Sequence, residues 1–88
     1  MKINRLKAYH LMRGFKRKYE CYFFKKDGSN RKMICSNDFP KPIILGKSPA
    51  SNTNALMLVF DVEKNNYRAV NLKTIYKIVH NNQVYEVN

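Results

Sequence analysis

From residue 19 onward the chain abandons helical spacing: short apolar or alternating runs are broken at regular intervals by turn residues, a pattern that fits small all-β folds. Residues 19–26 read as a strand, 27–30 as a tight turn on Asp27-Gly28, and 31–35 as the partner strand. Residues 55–60 form an unbroken apolar run suited to a central strand covered on both faces. Residues 63–66 turn the chain into 67–70, and 71–74 read as a short helical turn. Residues 75–79 are a further strand, and Asn81-Asn82 a hairpin turn into 83–87. Residues 37–54 hold all three prolines and Gly46-Lys47-Ser48, and read as one long loop of a kind that often carries function.

Ahead of the strands, Asn4 suits the cap of a helix over residues 4–14, with Gly14 at its C-terminal end. Ala8, Leu11, Met12 and Phe15 share one side at helical spacing, while Lys2, Lys7, His10, Arg13 and Arg17 gather on the other. One helix followed by five or six short strands favours a small closed barrel of the SH3-like or Sm-like kind over a sandwich. At 88 residues the chain is one domain, 1–88, with the helix leading and the barrel over 19–88. Eleven Phe and Tyr residues suffice for a single core.

Charge then narrows the partners. Seventeen Lys and Arg against six Asp and Glu give a net charge of +11. Residues 1–48 carry thirteen of the cations and three of the acids; residues 49–88 carry four and three. Self-repulsion at that density costs stability, so a neutralising anionic partner is favoured. Phosphate is the commonest such partner, and displaced counterions drive the association. An acidic protein surface ranks second and anionic lipid third. No apolar run reaches membrane-spanning length and no secretory h-region opens the sequence, so the expected compartment is the cytoplasm, with no membrane partner.

The cations Arg13, Lys16, Arg17, Lys18, Lys25, Lys26, Arg31 and Lys32 have only Glu20 and Asp27 among them. If Lys26 faces Arg31 and Lys25 faces Lys32 across the hairpin, like charges oppose each other, which is costly without an anion. These cations are expected to converge into one positive surface. Single-stranded bases stack on exposed rings beside cations, and Tyr19 and Tyr67, nearest the strand ends, are the expected stackers. Alternation puts Tyr22 and Phe24 on one face of their strand and Tyr19, Cys21 and Phe23 on the other; one of these faces is the core. Phe23, Phe60 and one of Tyr22 or Phe24 are expected inside. The expected ligand is RNA, or single-stranded nucleic acid generally, held through phosphates with little sequence preference.

No catalytic constellation assembles, so no enzyme is expected. Gly46-Lys47-Ser48 lacks the upstream glycine and following helix of a phosphate loop, although Lys41 and Lys47 are placed to touch a backbone phosphate. His10, His80, Cys21 and Cys35 match no zinc spacing, and no cofactor is implied. Asp61 and Glu63, near Lys64 and Arg68, read as a structural ion pair rather than an acid–base pair. Cys21 and Cys35 read as reduced, packed thiols. A three-residue hairpin loop sets them opposite each other; a two- or four-residue loop pairs Cys21 with Ser36 and Tyr22 with Cys35.

Residues 59–75 hold Phe60-Asp61-Val62-Glu63-Lys64, then Tyr67-Arg68, then Leu72, Thr74 and Ile75. In this the chain resembles a family of small phage and bacterial proteins described as WYL-like domains with an Sm-like SH3 barrel. The hairpin Lys25-Lys26-Asp27-Gly28 and the loop Leu45-Gly46-Lys47 are also similar, so the resemblance covers most of residues 19–79. It implies a barrel and a tailed-phage source, and only loosely a nucleic-acid or ligand-sensing role, because its motif is structural rather than catalytic. Small phage barrels of this kind include candidates for blocking host defences such as ribonuclease toxins. The alternative function is therefore a protein-binding inhibitor of a host nuclease or defence toxin, direct or bridged by RNA. The dense N-terminal cations exceed the family pattern. Assembly through strand edges as a structural phage component ranks third, and the oligomeric state is open.

Overall fold

In the computed structural model, which describes residues 1–37, 43–45 and 56–88, the side chain of Asn4 starts the one helix, α1 (Arg5–Gly14), by accepting from the Lys7 amide at 2.8 Å. Ala8, Met12 and Phe15 are buried on one side of the chain here, as the spacing predicts. The helix ends at Gly14 without a left-handed cap, because Phe15 continues in extended backbone. Asn37 supplies the cap instead: its Nδ2 donates to the Met12 and Phe15 carbonyls at 2.6 and 2.8 Å.

The strands are β1 (Lys2–Ile3), β2 (Lys18–Phe24), β3 (Asn30–Ser36), β4 (Ile43–Leu45), β5 (Leu56–Asp61), β6 (Asn66–Asn71), β7 (Ile75–His80) and β8 (Gln83–Val87), all in one sheet. β2, β3, β5 and β6 run as an antiparallel series. A 3-10 turn, Leu72–Thr74, then carries the chain to β7, which returns to pair with the other edge of β2. That return curls the sheet into the expected mainly-β, small barrel-like fold with a leading helix. β8 and the two residues of β1 extend the sheet beyond β7. β1 and β4 are the additions to the six strands legible in the sequence; two or three residues show no period. The rest of the long loop, with Lys41 and Gly46-Lys47-Ser48, lies outside the described residues.

Every layer contributes to the core: Met12 from α1, Cys21, Met33 and Met57 from β2, β3 and β5, Leu72 from the 3-10 turn, and Ile78 from β7 are all at most 1% exposed. Burying each such side chain contributes roughly 1.5–3 kcal/mol before entropy is counted. Turn chemistry fixes the register. Asn81 and Asn82 both have positive φ, 51° and 65°, as a two-residue primed hairpin turn requires.

The β2–β3 hairpin departs from its expected register. Phe24 pairs with Asn30, so the loop is the five residues 25–29. Asp27 Oδ1 accepts from the Ser29 amide at 2.9 Å and from its hydroxyl at 2.6 Å, and Gly28 takes φ 88°. This side-chain turn, together with the bond from the Lys25 amide to the Ser29 carbonyl, closes the longer loop. As a result Arg31 faces Phe23 and Lys32 faces Tyr22; the expected pairs Lys26–Arg31 and Lys25–Lys32 do not form. Cys21 faces Met33 and Cys35 faces Tyr19, so neither expected cysteine register holds, and both thiols are free and buried.

Candidate nucleic-acid interface

β2 carries the expected cations to opposite ends. Lys16 and Arg17 lead into it from Lys18, its first residue, and Lys25 and Lys26 follow it; a seven-residue strand separates the two groups by roughly 20 Å. The single positive surface expected from the sequence is therefore divided in two, because extended backbone spreads neighbours in sequence apart. In the first group the Arg13 guanidinium lies over the Tyr9 ring, 5.8 Å from its centroid. The His80 ring stacks on Phe15 at 4.1 Å, and its Nε2–H donates to the Lys16 carbonyl at 3.0 Å, fixing the connection between α1 and β2. Arg17 sits in that connection with φ 64°, an uncommon conformation for a side-chain-bearing residue.

Three expected site residues lie elsewhere. Arg31 is drawn to Asp61, with Nη2 3.8 Å from Oδ2. Arg68 approaches the same oxygen at 3.9 Å, while Oδ1 accepts from the amides of Glu63 and Lys64 at 3.0 and 3.2 Å. Asp61 is 1% exposed, so this is the structural ion pair read from the sequence, with Arg31 as a further partner and Lys64 contributing its backbone. Tyr19 is 2% exposed and cannot stack on a base. Its ring tilts against Phe15 at 5.3 Å, and its hydroxyl is buried beside the Cys35 thiol without an oxygen or nitrogen partner. Burial, with the two thiols adding, pushes the Tyr19 pKa well above its ordinary value. Tyr67 is exposed, edge-on to Phe60 at 5.2 Å, but it lies on β6, which does not pair with β2.

The residues brought together on the solvent side of β2 are others. Tyr19 and Cys21 point inward with Phe23 packed beside them, which turns Tyr22 and Phe24 outward. On β7, Lys77 pairs with Tyr22 but Ile75 pairs with Phe23, leaving Tyr76 as an extra residue. That bulge lets Tyr76 and Lys77 both meet the outward rings of β2. Phe24 and Tyr76 stack at 4.6 Å with planes 28° apart, and Tyr22 approaches Tyr76 at 6.3 Å. Lys77 Nζ lies over the Tyr22 ring, 4.2 Å from its centroid, and Lys32 is the register partner of Tyr22 on β3. Tyr22 donates its hydroxyl proton to Glu20 Oε1 at 2.7 Å; this bond, with smaller contributions from desolvation and the neighbouring charge, raises the Tyr22 pKa.

Register extends this arrangement into a row across five strands: Lys32, Tyr22, Lys77, Glu86 and Lys2. Lys25 and Lys26 lie just beyond Phe24 at the hairpin loop. Of the residues expected to bind, Lys32 thus lies in this row, and Lys25 and Lys26 adjoin it at the hairpin end. Tyr22, Phe24, Tyr76 and Lys77 were not among those expected. Alternation pairs Tyr22 with Phe24, but the bulge that adds Tyr76 has no local signal in the sequence.

Among the described residues, no three His, Cys, Asp or Glu side chains are grouped to hold a metal ion, and no helix is long and apolar enough to cross a membrane. In comparisons with known proteins, no family model, no curated protein and no solved structure matches this chain.

Proposed function

We propose that the protein binds single-stranded nucleic acid, RNA foremost, on the outer face of β2, β3 and β7. The observation that carries this reading is the Phe24–Tyr76 stack, a ring pair on the outer side of the sheet with Phe24 45% exposed and lysines at its margins. Sequence-tolerant binding of single strands needs flat apolar platforms for bases and nearby cations for phosphates. Phe24 with Tyr76 and, one residue pair along, Tyr22 supply the platforms. Lys32, Lys77, Lys25 and Lys26 supply the charge, and Lys77 moves from the Tyr22 ring to the phosphate when a base takes its place. The net charge of +11 accelerates the encounter at low salt. The second group, Arg13, Lys16, Arg17 and Lys18, offers phosphate contacts to a longer strand.

In this reading the protein is a binder rather than an enzyme and acts in a cytoplasm. Kinship with the small phage WYL-like barrels, and with it an anti-defence role, belongs to the same proposal. The rival partner is an acidic protein such as a host ribonuclease. Anisotropy of a labelled single strand about 12 nucleotides long tests the choice, with affinity expected to fall steeply between about 50 and 200 mM salt. Equal affinity for a duplex of the same length, or binding indifferent to salt, overturns the reading.

A further inference from the structure

At the hairpin end of the barrel β2 and β6 flank an open groove without pairing to each other. Phe23, Phe24, Lys25 and Lys26 line one side of it, Arg68, Ala69 and Val70 the other, and Leu56 adds an exposed apolar side chain. β6 pairs with β5 alone among the described strands, and β7 begins only at Ile75. Among the described residues, alternate main-chain N–H and C=O groups of residues 68–70 therefore face the groove rather than a neighbouring strand. Lys25, Lys26 and Arg68 ring the groove, the last shared with Asp61, and no acid among the described residues lines it.

We infer that this groove takes an extended acidic peptide, added as a strand to the edge of β6. Strand addition uses the main-chain groups for affinity and alternate side chains for selection. The facing walls, residues 23–26 and 68–71, are each four residues long, roughly 13 Å, which matches a four-residue extended segment. In such a segment one face rests on Leu56 and Phe24, and the other presents carboxylates to Lys25 and Lys26. A nucleic-acid phosphate can use only the N–H groups of a strand edge, whereas a peptide backbone pairs with both its N–H and its C=O groups. The groove shares Phe24, Lys25 and Lys26 with the aromatic face, while Leu56 and the β6 edge belong to it alone, so protection of the β6 amides separates the two readings.

The probe is a capped hexapeptide alternating glutamate and valine, titrated against the full chain with amide hydrogen exchange followed by NMR. Binding is expected to slow exchange at amides within residues 68–70 by roughly tenfold. Leu56→Glu, and separately Lys25→Glu with Lys26→Glu, should each weaken the peptide roughly tenfold, and a peptide with lysine in place of glutamate should not bind. A thermal melt shows that Leu56→Glu is folded. Failure of the peptide to bind, binding without protection of those amides, or protection by an oligonucleotide in its place overturns the inference.

Discussion

Lys77 lies over the ring of Tyr22 with its ammonium nitrogen 4.2 Å from the ring centroid, while Lys32 holds the register position across β2. Tyr22 is thus bracketed by two cations, one already resting on its face. An exposed contact of this kind contributes about 0.5–1 kcal/mol to stability. Lys77→Ala should therefore cost no more than about 1 kcal/mol in a urea melt. The same variant should weaken oligonucleotide binding and lower the salt slope by about one phosphate contact. An unchanged slope removes Lys77 from the interface.

Asp61 separates charge from hydrogen bonding. Asp61→Asn keeps an acceptor for the Glu63 and Lys64 amides but removes the attraction for Arg31 and Arg68; Asp61→Ala removes both. Losing the carboxylate should cost about 1–2 kcal/mol because the arginines are partly solvated, and losing the acceptor as well about 3 kcal/mol. Denaturant midpoints check the order, and an alanine variant as stable as the asparagine one contradicts the role of the turn bonds.

The Tyr19 hydroxyl has no oxygen or nitrogen partner in the core and is left with the Cys35 thiol, a weak acceptor that offsets little of the cost of burying it. Tyr19→Phe should leave the fold intact and raise its stability by up to about 1 kcal/mol. Oligonucleotide affinity should not change. A loss of affinity with a normal melt restores Tyr19 to the binding surface.

What was legible and what was not follow from the range of the interactions. The helix over residues 4–14 and the strand 83–87 rest on local caps and turns, and Asn4 and Asn81-Asn82 announce them. Alternation separated Tyr22 and Phe24 from Tyr19, Cys21 and Phe23, yet the inward set is decided by Met33, Ile78 and the helix, which close over the second group. The Asp27–Ser29 turn lengthens the hairpin loop to five residues, and this moved Arg31 opposite Phe23. Tyr76 reaches Phe24 from fifty-two residues away through a bulge, a juxtaposition that the long-range pairing of β7 with β2 creates.

Cys21 and Cys35 give a pH dependence of known sign. Desolvation drives both thiols above the usual value of 9.0, Cys21 well above it and Cys35 to about 12. Below pH 9.0 both states hold the protons and stability is unaffected by them. Above it the unfolded thiols ionise while the folded ones stay protonated, so stability falls as pH rises toward the folded pKa. The slope is about 1.4 kcal/mol per pH unit for each thiol. Guanidinium melts between pH 8 and 11 should show this decline, and Cys35→Ala should remove about half of the thiol contribution. At pH 8 neither thiol should react with a disulfide reagent until the chain unfolds. Rapid labelling of the folded protein contradicts the burial.

Whether the aromatic face or the scattered cations hold the ligand is decided by one comparison. Affinity for a single-stranded RNA is measured for the Phe24→Ala, Tyr76→Ala double variant and for Tyr67→Ala, with thermal melts confirming that both fold. Loss of the outer-face rings should weaken binding at least about tenfold, since each stacked base contributes ~1–3 kcal/mol, and Tyr67→Ala should change it less than about twofold. Full affinity in the double variant, or a loss confined to Tyr67→Ala, contradicts the placement of the site on β2 and β7.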